Sequence, residues 1–458
     1  MDAINRRLFI QMALLSLFGS GLTACENTEE KTAVTTHSPA QILIIGAGMA
    51  GLAAARQLHD AGLSVTVLEG RSRLGGRIWT DHTWPNSSLD LGASWIHGVR
   101  GNPIMALAQQ SDVKTIRTNY DNLQVYDQHG RALSGAEMAE LELYLTAVDE
   151  LIETAQESTE TDRSLANAIA AAAKEEELTP HEMGQLHYVI NSAIEQEYAA
   201  DVDELSLWEW DQDDEQSGHD VLFPGGYDQL VNVLAVGLDI RRDHTASFIA
   251  YGEDGVRVTT NQGTFHGDRV IVTVPLGVLQ KGIITFSPPL PGWKQTAVDR
   301  LRMGVLNKTY LRFPRAFWDA DVELIGHMAE PKGEWAEFLN IAYYTGQPVL
   351  CGFNVAHFGR AIERLSDEEI VAGMMVVLRK LYGRTIPEPE AWHITRWQSD
   401  PFAYGSYSFI PPGASGADHE ALARPVGSRL FFAGEATYRA HPATYTELTS
   451  PANGRRRR

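Results

Sequence analysis

The chain has few cysteines and few basic residues for its length of 458 residues. Cys25 and Cys351 are its two cysteines, which argues against a disulfide framework and against a cysteine-based metal site. Lys and Arg total 38 against 59 Asp and Glu, a formal net charge of -21. This excess of negative charge argues against nucleic acid as a partner, because its phosphates attract basic side chains. The length fits two or three domain-sized units, and we find no internal repeat.

The first 25 residues predict an export signal. Residues 5–10 (Asn-Arg-Arg-Leu-Phe-Ile) resemble a twin-arginine signal, an apolar stretch follows from 8 to 22, and residues 22–25 resemble a lipoprotein cleavage site. We therefore expect a periplasmic or outer-surface location on a bacterial membrane, with Cys25 as the site of lipid attachment. An uncleaved membrane anchor is the alternative reading. Residues 26–39 are polar and predict a linker.

A nucleotide-binding pattern occupies residues 42–69. An apolar run at 42–45 precedes Gly46, Gly48 and Gly51, an alanine-rich helix and a second apolar run follow, and Glu69 comes 18 positions after Gly51. A glycine turn at the start of a helix offers bare backbone N–H groups to a pyrophosphate, and an acidic residue at this distance binds a ribose diol. The pattern predicts a dinucleotide site, and Glu69 would suit NAD or FAD equally.

The next segment, residues 69–77 (Glu-Gly-Arg-Ser-Arg-Leu-Gly-Gly-Arg), resembles a flavin-contacting loop of the FAD-dependent amine oxidases. That family includes monoamine oxidases, polyamine oxidases and lysine-specific histone demethylases. Further matches follow in family order at 92–98, 101–103, 205–214, 223–227, 270–277, 307–308, 396–397, 405–408 and 430–437. Together they span residues 40 to 444, and the polyamine oxidases and demethylases resemble the chain most.

This resemblance implies FAD as the cofactor and an α/β fold in which a Rossmann-like flavin domain is interleaved with an α+β substrate domain. We assign residues 40–110, 216–300 and 395–458 to the flavin domain and 111–215 and 301–394 to the substrate domain. The residues implied in cofactor binding are Gly46, Gly48, Gly51, Glu69, Arg71, Gly76, Arg77, Gly92, Ala93, Ser94, Trp95, Trp397, Gly434, Glu435, Ala443 and Thr444. No second glycine fingerprint for NAD(P)H occurs, which favours an oxidase that is reoxidised by O2.

Periodicity supports this division. Apolar residues at helical spacing predict one helix: Met138, Leu141, Leu145, Val148 and Ile152. The alanine-rich stretch at 165–176 predicts a second helix. Residues 308–313 alternate as in a strand, and residues 367–381 predict a helix.

Amine oxidation moves a hydride equivalent from the carbon beside nitrogen, so the reacting nitrogen must be neutral, which an apolar aromatic pocket favours. By resemblance, Lys308 holds a water at flavin N5, Tyr407 forms an aromatic wall, and Trp397 packs near the ring. Thr444 stands where monoamine and plant polyamine oxidases usually carry a second tyrosine. His97, in a glycine-rich loop, is either a contact of the amine or a structural hydrogen-bonding residue.

An acidic stretch suggests the substrate class. Residues 201–220 contain nine carboxylates and no Lys or Arg: Asp201, Asp203, Glu204, Glu209, Asp211, Asp213, Asp214, Glu215 and Asp220. Such a surface would attract polycations, which favours polyamines, although solubility alone would also account for it.

The C-terminus departs from the family. There, Pro-Ala-Thr is followed by Val-His-Gly-Ala and a last helix at the flavin, whereas here residues 445–458 end in four arginines. A one-base shift at Tyr445 would restore the family sequence, and we infer a frameshift. The lost helix would place stability and activity in question.

Other readings stay open at this point. An L-amino-acid oxidase would need an arginine aimed at the substrate carboxylate. A carotenoid or porphyrinogen oxidase would share the flavin fold, and the altered tail leaves an inactive flavoprotein or a surface-binding lipoprotein.

The resemblance at Lys308 gives a testable prediction. Lys308→Met should slow reoxidation of the reduced flavin by O2, because the lysine would no longer hold its water. Stopped-flow mixing of the reduced enzyme with oxygen measures this rate. Oxygen kinetics identical to those of the unchanged protein would contradict the assignment.

Overall fold

The structure is a computed structural model that describes residues 40–175, 178–211 and 217–439. The predicted export signal, the linker and the altered tail lie outside the described residues.

Strands occur along the whole described chain. In chain order they are β1 (Gln41–Ile45), β2 (Ser64–Leu68), β3 (Thr80–Asp81), β4 (Leu89–Asp90), β5 (Trp95–Ile96), β6 (Ile116–Arg117), β7 (Leu123–Tyr126), β8 (Val221–Leu222), β9 (Asp239–Arg241), β10 (Ala246–Gly252), β11 (Gly255–Thr260), β12 (Gly263–Gly267), β13 (Arg269–Val272), β14 (Thr285–Ser287), β15 (Arg302–Met303), β16 (Leu306–Arg312), β17 (Leu324–His327), β18 (Glu337–Asn340), β19 (Val349–Val355), β20 (Ala391–Ile394), β21 (Ser408–Phe409) and β22 (Leu430–Phe432).

Helices connect and cover these strands. They are α1 (Met49–Asp60), α2 (Pro103–Gln110), α3 (Gly135–Ser158), α4 (Leu165–Glu175), α5 (Pro180–Val189), α6 (Gln196–Tyr198), α7 (Asp228–Ala235), α8 (Leu276–Gln280), α9 (Gly292–Arg300), α10 (Ile341–Thr345), α11 (Ala356–Ile362), α12 (Asp367–Tyr382) and α13 (Gly416–Ala423). A π-helical turn, Ile190–Glu195, joins α5 to α6, and a 3-10 turn covers Glu435–Thr437.

A parallel five-stranded sheet in the order β22-β13-β1-β2-β9 forms the nucleotide-binding layer. Its central strand β1 pairs in parallel with β13 and β2, with Ile42 opposite Arg269 and Val65. Ile44 and its neighbours in β1 are fully buried, as expected for a strand covered on both faces. The carboxyl end of β1 therefore leads into the turn at Gly46, at the edge where open parallel sheets bind ligands.

A second, six-stranded sheet has the order β20-β16-β19-β18-β17-β7. Its pairs are antiparallel except β7 with β17. The central strand β19 is buried along its length, and α12 packs against this sheet through residues such as Met374 and Leu378. One face of the sheet forms a wall of the larger cavity described below.

The predicted mixed α/β fold is confirmed. The predicted helices correspond to α3, α4 and α12, and the predicted strand to β16. The five parallel strands all come from segments that we assigned to the flavin domain, and the six strands of the second sheet from those assigned to the substrate domain. The domain boundaries themselves stay a prediction.

Among the residues that the structure describes, no helix is both long and apolar enough to span a bilayer.

Gly51 gives a prediction about folding. A Cβ on Gly51 would lie 2.0 Å from the Gly46 carbonyl oxygen and 2.8 Å from Thr273 Oγ1, so Gly51→Ala must push α1 away from the turn. We expect a loss of about 1–3 kcal/mol in the free energy of unfolding, together with weaker flavin retention. Denaturant titration and the flavin-to-protein absorbance ratio measure these.

Gly184→Ala is the matched control. Gly184 lies within α5, and a Cβ added there would meet no neighbouring atom within 4 Å, so alanine should be neutral or stabilising. Equal stability of the Gly51→Ala and unchanged proteins would contradict the packing argument.

Candidate active site

The turn after β1 lies against a cavity of about 240 Å³. Gly46 has a φ of +107°, a left-handed conformation that favours glycine. Gly48 is the N-cap residue of α1 and provides no side-chain cap, and a Cβ there would have no heavy atom nearer than 3.8 Å. The first turn of α1 thus presents uncapped N–H groups beside open space, an arrangement suited to a pyrophosphate.

Glu69 closes one side of this cavity. Its carboxylate accepts hydrogen bonds from the backbone N–H groups of Ala47 at 2.7 Å and Arg71 at 2.8 Å. Burial raises the pKa of Glu69, and the two backbone hydrogen bonds oppose that shift. Glu69 therefore joins the first glycine turn to the second loop and lines the cavity, where its free lone pairs suit a ribose diol.

The second loop, residues 69–77, packs on the glycine turn. Gly75 donates its N–H to the Ala47 carbonyl at 2.9 Å, and Gly76 has a φ of +61° that brings it against Gly48. Arg71 makes a two-pronged ion pair with Asp400 at 2.8 and 2.9 Å. The loop is held from both sides, by the turn and by a segment more than 300 residues away.

Arg77 and Glu435 form a buried ion pair, with Nη1 2.7 Å from Oε1. Burial alone would raise the pKa of Glu435, but the charge of Arg77 and hydrogen bonds from Arg77 and Ser408 lower it overall. Arg77 also donates to the Ser406 carbonyl at 2.8 Å. Both partners of the pair line the smaller cavity and the larger one, so the two cavities adjoin at this pair.

The larger cavity has a volume of about 740 Å³, within the range of small-molecule sites. Ten of the predicted site residues line it: Arg77, Gly92, Ala93, Ser94, Trp95, His97, Lys308, Trp397, Tyr407 and Glu435. The smaller cavity is lined by six further predicted residues: Gly46, Gly48, Glu69, Arg71, Gly76 and Gly434. The predicted residues thus come together in two groups, as a nucleotide portion and a ring portion would require.

Three predicted residues fall elsewhere. Gly51 lines neither cavity, and its close approach to Gly46 makes it a packing residue in this structure. Ala443 and Thr444 lie outside the described residues.

Lys308 lies at the base of the larger cavity and is 3% exposed. Its ammonium group donates to the carbonyls of Asp90 at 2.9 Å and Gly92 at 2.6 Å and to Ser94 Oγ at 2.5 Å. Burial lowers the pKa of Lys308, while the charges of Cys351 and Asp90 raise it. The lysine therefore anchors the loop at 90–94, and its predicted contact with a water stays a prediction.

The two predicted aromatic residues, Trp397 and Tyr407, are fixed by hydrogen bonds to the protein. Trp397 donates its indole N–H to the Leu91 carbonyl at 3.2 Å, and its backbone N–H is bound by Asn307 Oδ1 at 2.9 Å. Tyr407 donates its hydroxyl to the Gln196 carbonyl at 2.6 Å. Because these polar atoms are used in hydrogen bonds to the protein, the rings contribute apolar surface to the cavity.

His97 belongs to a hydrogen-bonded group that the motifs did not reveal. Its Nδ1 is 2.7 Å from Asp220 Oδ2, which also accepts from the Tyr120 hydroxyl at 2.9 Å. Burial disfavours the cation, but the hydrogen bond to Asp220 and the charge of Glu197 raise the pKa of His97 overall. The bond to His97 likewise lowers the pKa of Asp220 against the effect of burial, so the two shifts together favour the charged forms of both partners.

Several carboxylates of the acidic stretch, residues 201–220, are engaged in contacts with other residues. Asp201 and Glu204 contact Arg360, Glu209 accepts from the Gly416 N–H, and Asp220 binds His97. Among its described members only Asp220 lines the larger cavity. Steering of polycations by this stretch stays a prediction, and the described contacts show a structural use for four of its carboxylates.

The motifs also missed Glu337, which lines the larger cavity from β18. Burial raises its pKa to about 7. The one available signal was a glutamate in an otherwise apolar run, residues 335–339, and a single charged residue in a strand is not diagnostic.

Comparison with known proteins shows the family of this chain. A family described as flavin containing amine oxidoreductase matches residues 49–447. The C-terminal domain of alanine dehydrogenase and PNT also matches residues 18–77, which include the glycine turn.

Two curated relatives from Oryza sativa subsp. japonica illustrate the similarity. Lysine-specific histone demethylase 1 homolog 1 is 37% identical over 437 residues, which cover 89% of this chain and 50% of that protein. The chain thus spans about half the length of the demethylase relatives. Polyamine oxidase 4 is 37% identical over 423 residues, which cover 88% of this chain and 85% of that protein.

A solved structure of a putrescine oxidase redesigned in its cofactor binding superposes with a TM-score of 0.72. The match covers 89% of this chain and 96% of that one at 20% identity, and it shows the shared fold.

The His97–Asp220 pair gives a prediction on pH. Asp220→Asn removes the negative charge that binds His97, so the raised pKa of His97 should fall toward its ordinary value. In the unchanged protein the pair's stabilising effect is present below pH 6.5 and is lost as pH rises through the raised pKa of His97. NMR titration of ¹⁵N-labelled histidines measures the midpoint.

Asp60→Asn provides the control, since Asp60 also contacts a histidine, His59, but on the exposed surface away from either cavity. An unchanged His97 midpoint in Asp220→Asn would contradict the ionic pair.

Proposed function

Because this chain belongs to the flavin containing amine oxidoreductase family, we propose that it oxidises a polyamine, or another primary or secondary amine, to the imine. FAD, when bound, supplies the acceptor for the hydride equivalent and passes two electrons to O2, which yields H2O2. The observation that carries this proposal is the junction of the two cavities at Arg77 and Glu435. A cavity that suits a nucleotide there adjoins a second cavity large enough for a ring and a small amine.

The residues present fit FAD. The uncapped start of α1 at Gly48 has open space beside it, which suits the pyrophosphate, and Glu69 suits the ribose. In the larger cavity, residues 92–95 and Trp397 would hold the isoalloxazine portion. Arg77 and Glu435 would lie between the two portions.

The walls of the larger cavity favour the neutral form of a bound amine. Four side chains contribute apolar surface to it: Trp95, Leu306, Phe353 and Tyr407. The polar atoms of Trp95 and Tyr407 donate hydrogen bonds to the protein and not to the cavity. Low polarity disfavours an ammonium ion and so lowers the pKa of the reacting nitrogen. These side chains therefore promote loss of the proton that blocks the nitrogen lone pair.

The arginines of the cavity argue against an L-amino-acid oxidase. Among the described residues Arg77 is the arginine that lines the larger cavity, and it is engaged with Glu435 and the Ser406 carbonyl. A substrate carboxylate would have to displace one of these partners. The same cavity accepts an amine without such a displacement, which favours the amine.

Export belongs to the proposal as well. The twin-arginine-like segment and Cys25 support a periplasmic or surface-anchored enzyme, which would acquire FAD in the cytoplasm before export in the folded state. The altered tail, residues 445–458, supports the competing possibility of an inactive flavoprotein.

The visible spectrum of the purified full-length chain tests the reaction class. Under anaerobic conditions, spermidine should bleach the oxidised flavin band within the time of a single turnover, and admission of O2 should restore the band and release H2O2. A band that is bleached by L-amino acids but by no amine would overturn the proposal. A flavin band that neither amines nor amino acids bleach would support the inactive flavoprotein, and a preparation without any flavin band would mean that the altered C-terminus has cost the protein its cofactor.

A further inference from the structure

The loop that follows β20, residues 395–400, is joined to both cavities. Trp397 lines the larger cavity. Asp400, three positions later, makes the two-pronged ion pair with Arg71, which lines the smaller cavity. A short piece of chain thus links a side chain at the ring portion of FAD to an ion pair at the nucleotide portion. The contacts that fix this loop therefore bear on both portions.

One carboxylate outside both cavities fixes the middle of the loop. Glu363, at the C-terminal end of α11, accepts hydrogen bonds from the backbone N–H groups of Gln398 and Ser399, each at 2.8 Å. It also accepts from the Ser399 hydroxyl at 2.5 Å. Hydrogen bonds to an ionised acceptor are short and strong, so these donors are held in one arrangement. Glu363 itself lines neither cavity.

Asn307 extends this contact to Trp397. Its Nδ2 donates to Glu363 Oε1 at 2.8 Å and to the Gly359 carbonyl at 3.1 Å. Its Oδ1 accepts from the Trp397 backbone N–H at 2.9 Å. An ionised carboxylate only accepts hydrogen bonds, so Glu363 fixes which end of the buried amide is its donor. The orientation of Asn307 in turn leaves its oxygen facing the Trp397 backbone.

The ring of Trp397 depends on this placement of its backbone. Its indole N–H reaches the Leu91 carbonyl at 3.2 Å, which is at the long end of the range for such bonds. A Cβ added to Gly92 would lie 3.4 Å from Trp397 Cζ2, so the ring also packs on the backbone of that loop. A small displacement of the Trp397 backbone would therefore break the indole hydrogen bond.

The same carboxylate acts on the nucleotide side of the loop. Ser399, which Glu363 binds twice, directly precedes Asp400. Asp400 pairs with Arg71 in a two-pronged geometry and also accepts from the Phe402 N–H at 2.8 Å. Two parallel hydrogen bonds between a guanidinium and a carboxylate require a defined alignment of both groups. A displacement of Ser399 would disturb that alignment at the smaller cavity.

From these contacts we propose that Glu363 is a positioning residue for the cofactor. It acts through the loop at 395–400, and it thereby holds Trp397 at the larger cavity and the Asp400–Arg71 pair at the smaller one. Retention of both portions of FAD would thus depend on one carboxylate that lies outside both cavities. The inference concerns the cofactor and holds whichever amine is the substrate.

Hydrogen exchange at the Trp397 indole tests whether Glu363 controls this ring. In the full-length chain labelled with ¹⁵N-tryptophan, the Trp397 indole signal is identified by its loss in Trp397→Phe. Glu363→Ala removes four accepted hydrogen bonds, so the bond to the Leu91 carbonyl should open more often. The indole proton should exchange at least about tenfold faster, as for the loss of a hydrogen bond to a charged group. An unchanged exchange rate would overturn the inference.

Release of FAD from the holoenzyme tests the effect on the two cavities together. Free FAD is detected by its fluorescence after dilution of the protein. Glu363→Ala should accelerate release about 10- to 100-fold, the usual range for a hydrogen bond to a charged group. Glu363→Gln keeps one oxygen as an acceptor and should give an intermediate rate. Release that is as slow in both variants as in the unchanged protein would contradict a role in cofactor positioning.

Asp162→Ala is the matched control. Asp162 also accepts four hydrogen bonds, two from the Ser206 hydroxyl and one each from the N–H groups of Trp208 and Gly413, and it lines neither cavity. Its removal should lower stability and leave both the Trp397 exchange rate and FAD release unchanged. An equal acceleration in this variant would reveal a general loosening of the fold and overturn the inference.

Glu363→Gln keeps the test decisive if the alanine variant does not fold. The glutamine variant should then show faster exchange of the Trp397 indole proton than the unchanged protein, and an equal rate would overturn the inference. Neither measurement uses an amine. If no amine reduces the flavin, the proposed function fails, while indole exchange and FAD release still decide the role of Glu363.

Discussion

Three consecutive backbone carbonyls, residues 90–92, bind the loop after β4 to β16 of the six-stranded sheet and to Trp397. Each accepts a hydrogen bond from a side chain distant in sequence, namely Lys308, Tyr310 or Trp397. An unpaired buried carbonyl is costly, so the loop cannot move away from β16 without losing several of these bonds together. The larger cavity exists because this loop and the six-stranded sheet are fixed face to face.

The ion pairs around the cavity follow one rule. A buried ionised group needs a partner of opposite charge or a hydrogen-bond acceptor or donor. Arg77 pairs with Glu435, Arg71 pairs with Asp400, and Lys308 donates to backbone carbonyls. These pairs connect segments that lie more than 200 residues apart and thereby fix the cavity walls.

Much of the fold and site could be predicted because local rules decided it. The apolar run before Gly46 became the central parallel strand, and the helical spacing from Met138 to Ile152 became α3. Residues at 69–77 and 92–97 formed cavity walls because glycine turns and short loops take their shape from nearby residues. The acidic stretch was less informative, since its carboxylates interact with Arg360, Gly416 and His97, all distant in sequence.

By itself the amino-acid sequence determined the nucleotide turn and the family, and it predicted Lys308, Trp397 and Tyr407, which line the larger cavity. Each of these depends on spacing along the chain or on residue types that a short motif requires. Tertiary structure alone decided that Asp220 hydrogen-bonds to His97 and that Glu337 lies on the same wall as Lys308. Those contacts depend on strand order and register, which bring residues from separate segments together and leave no periodic trace in the sequence.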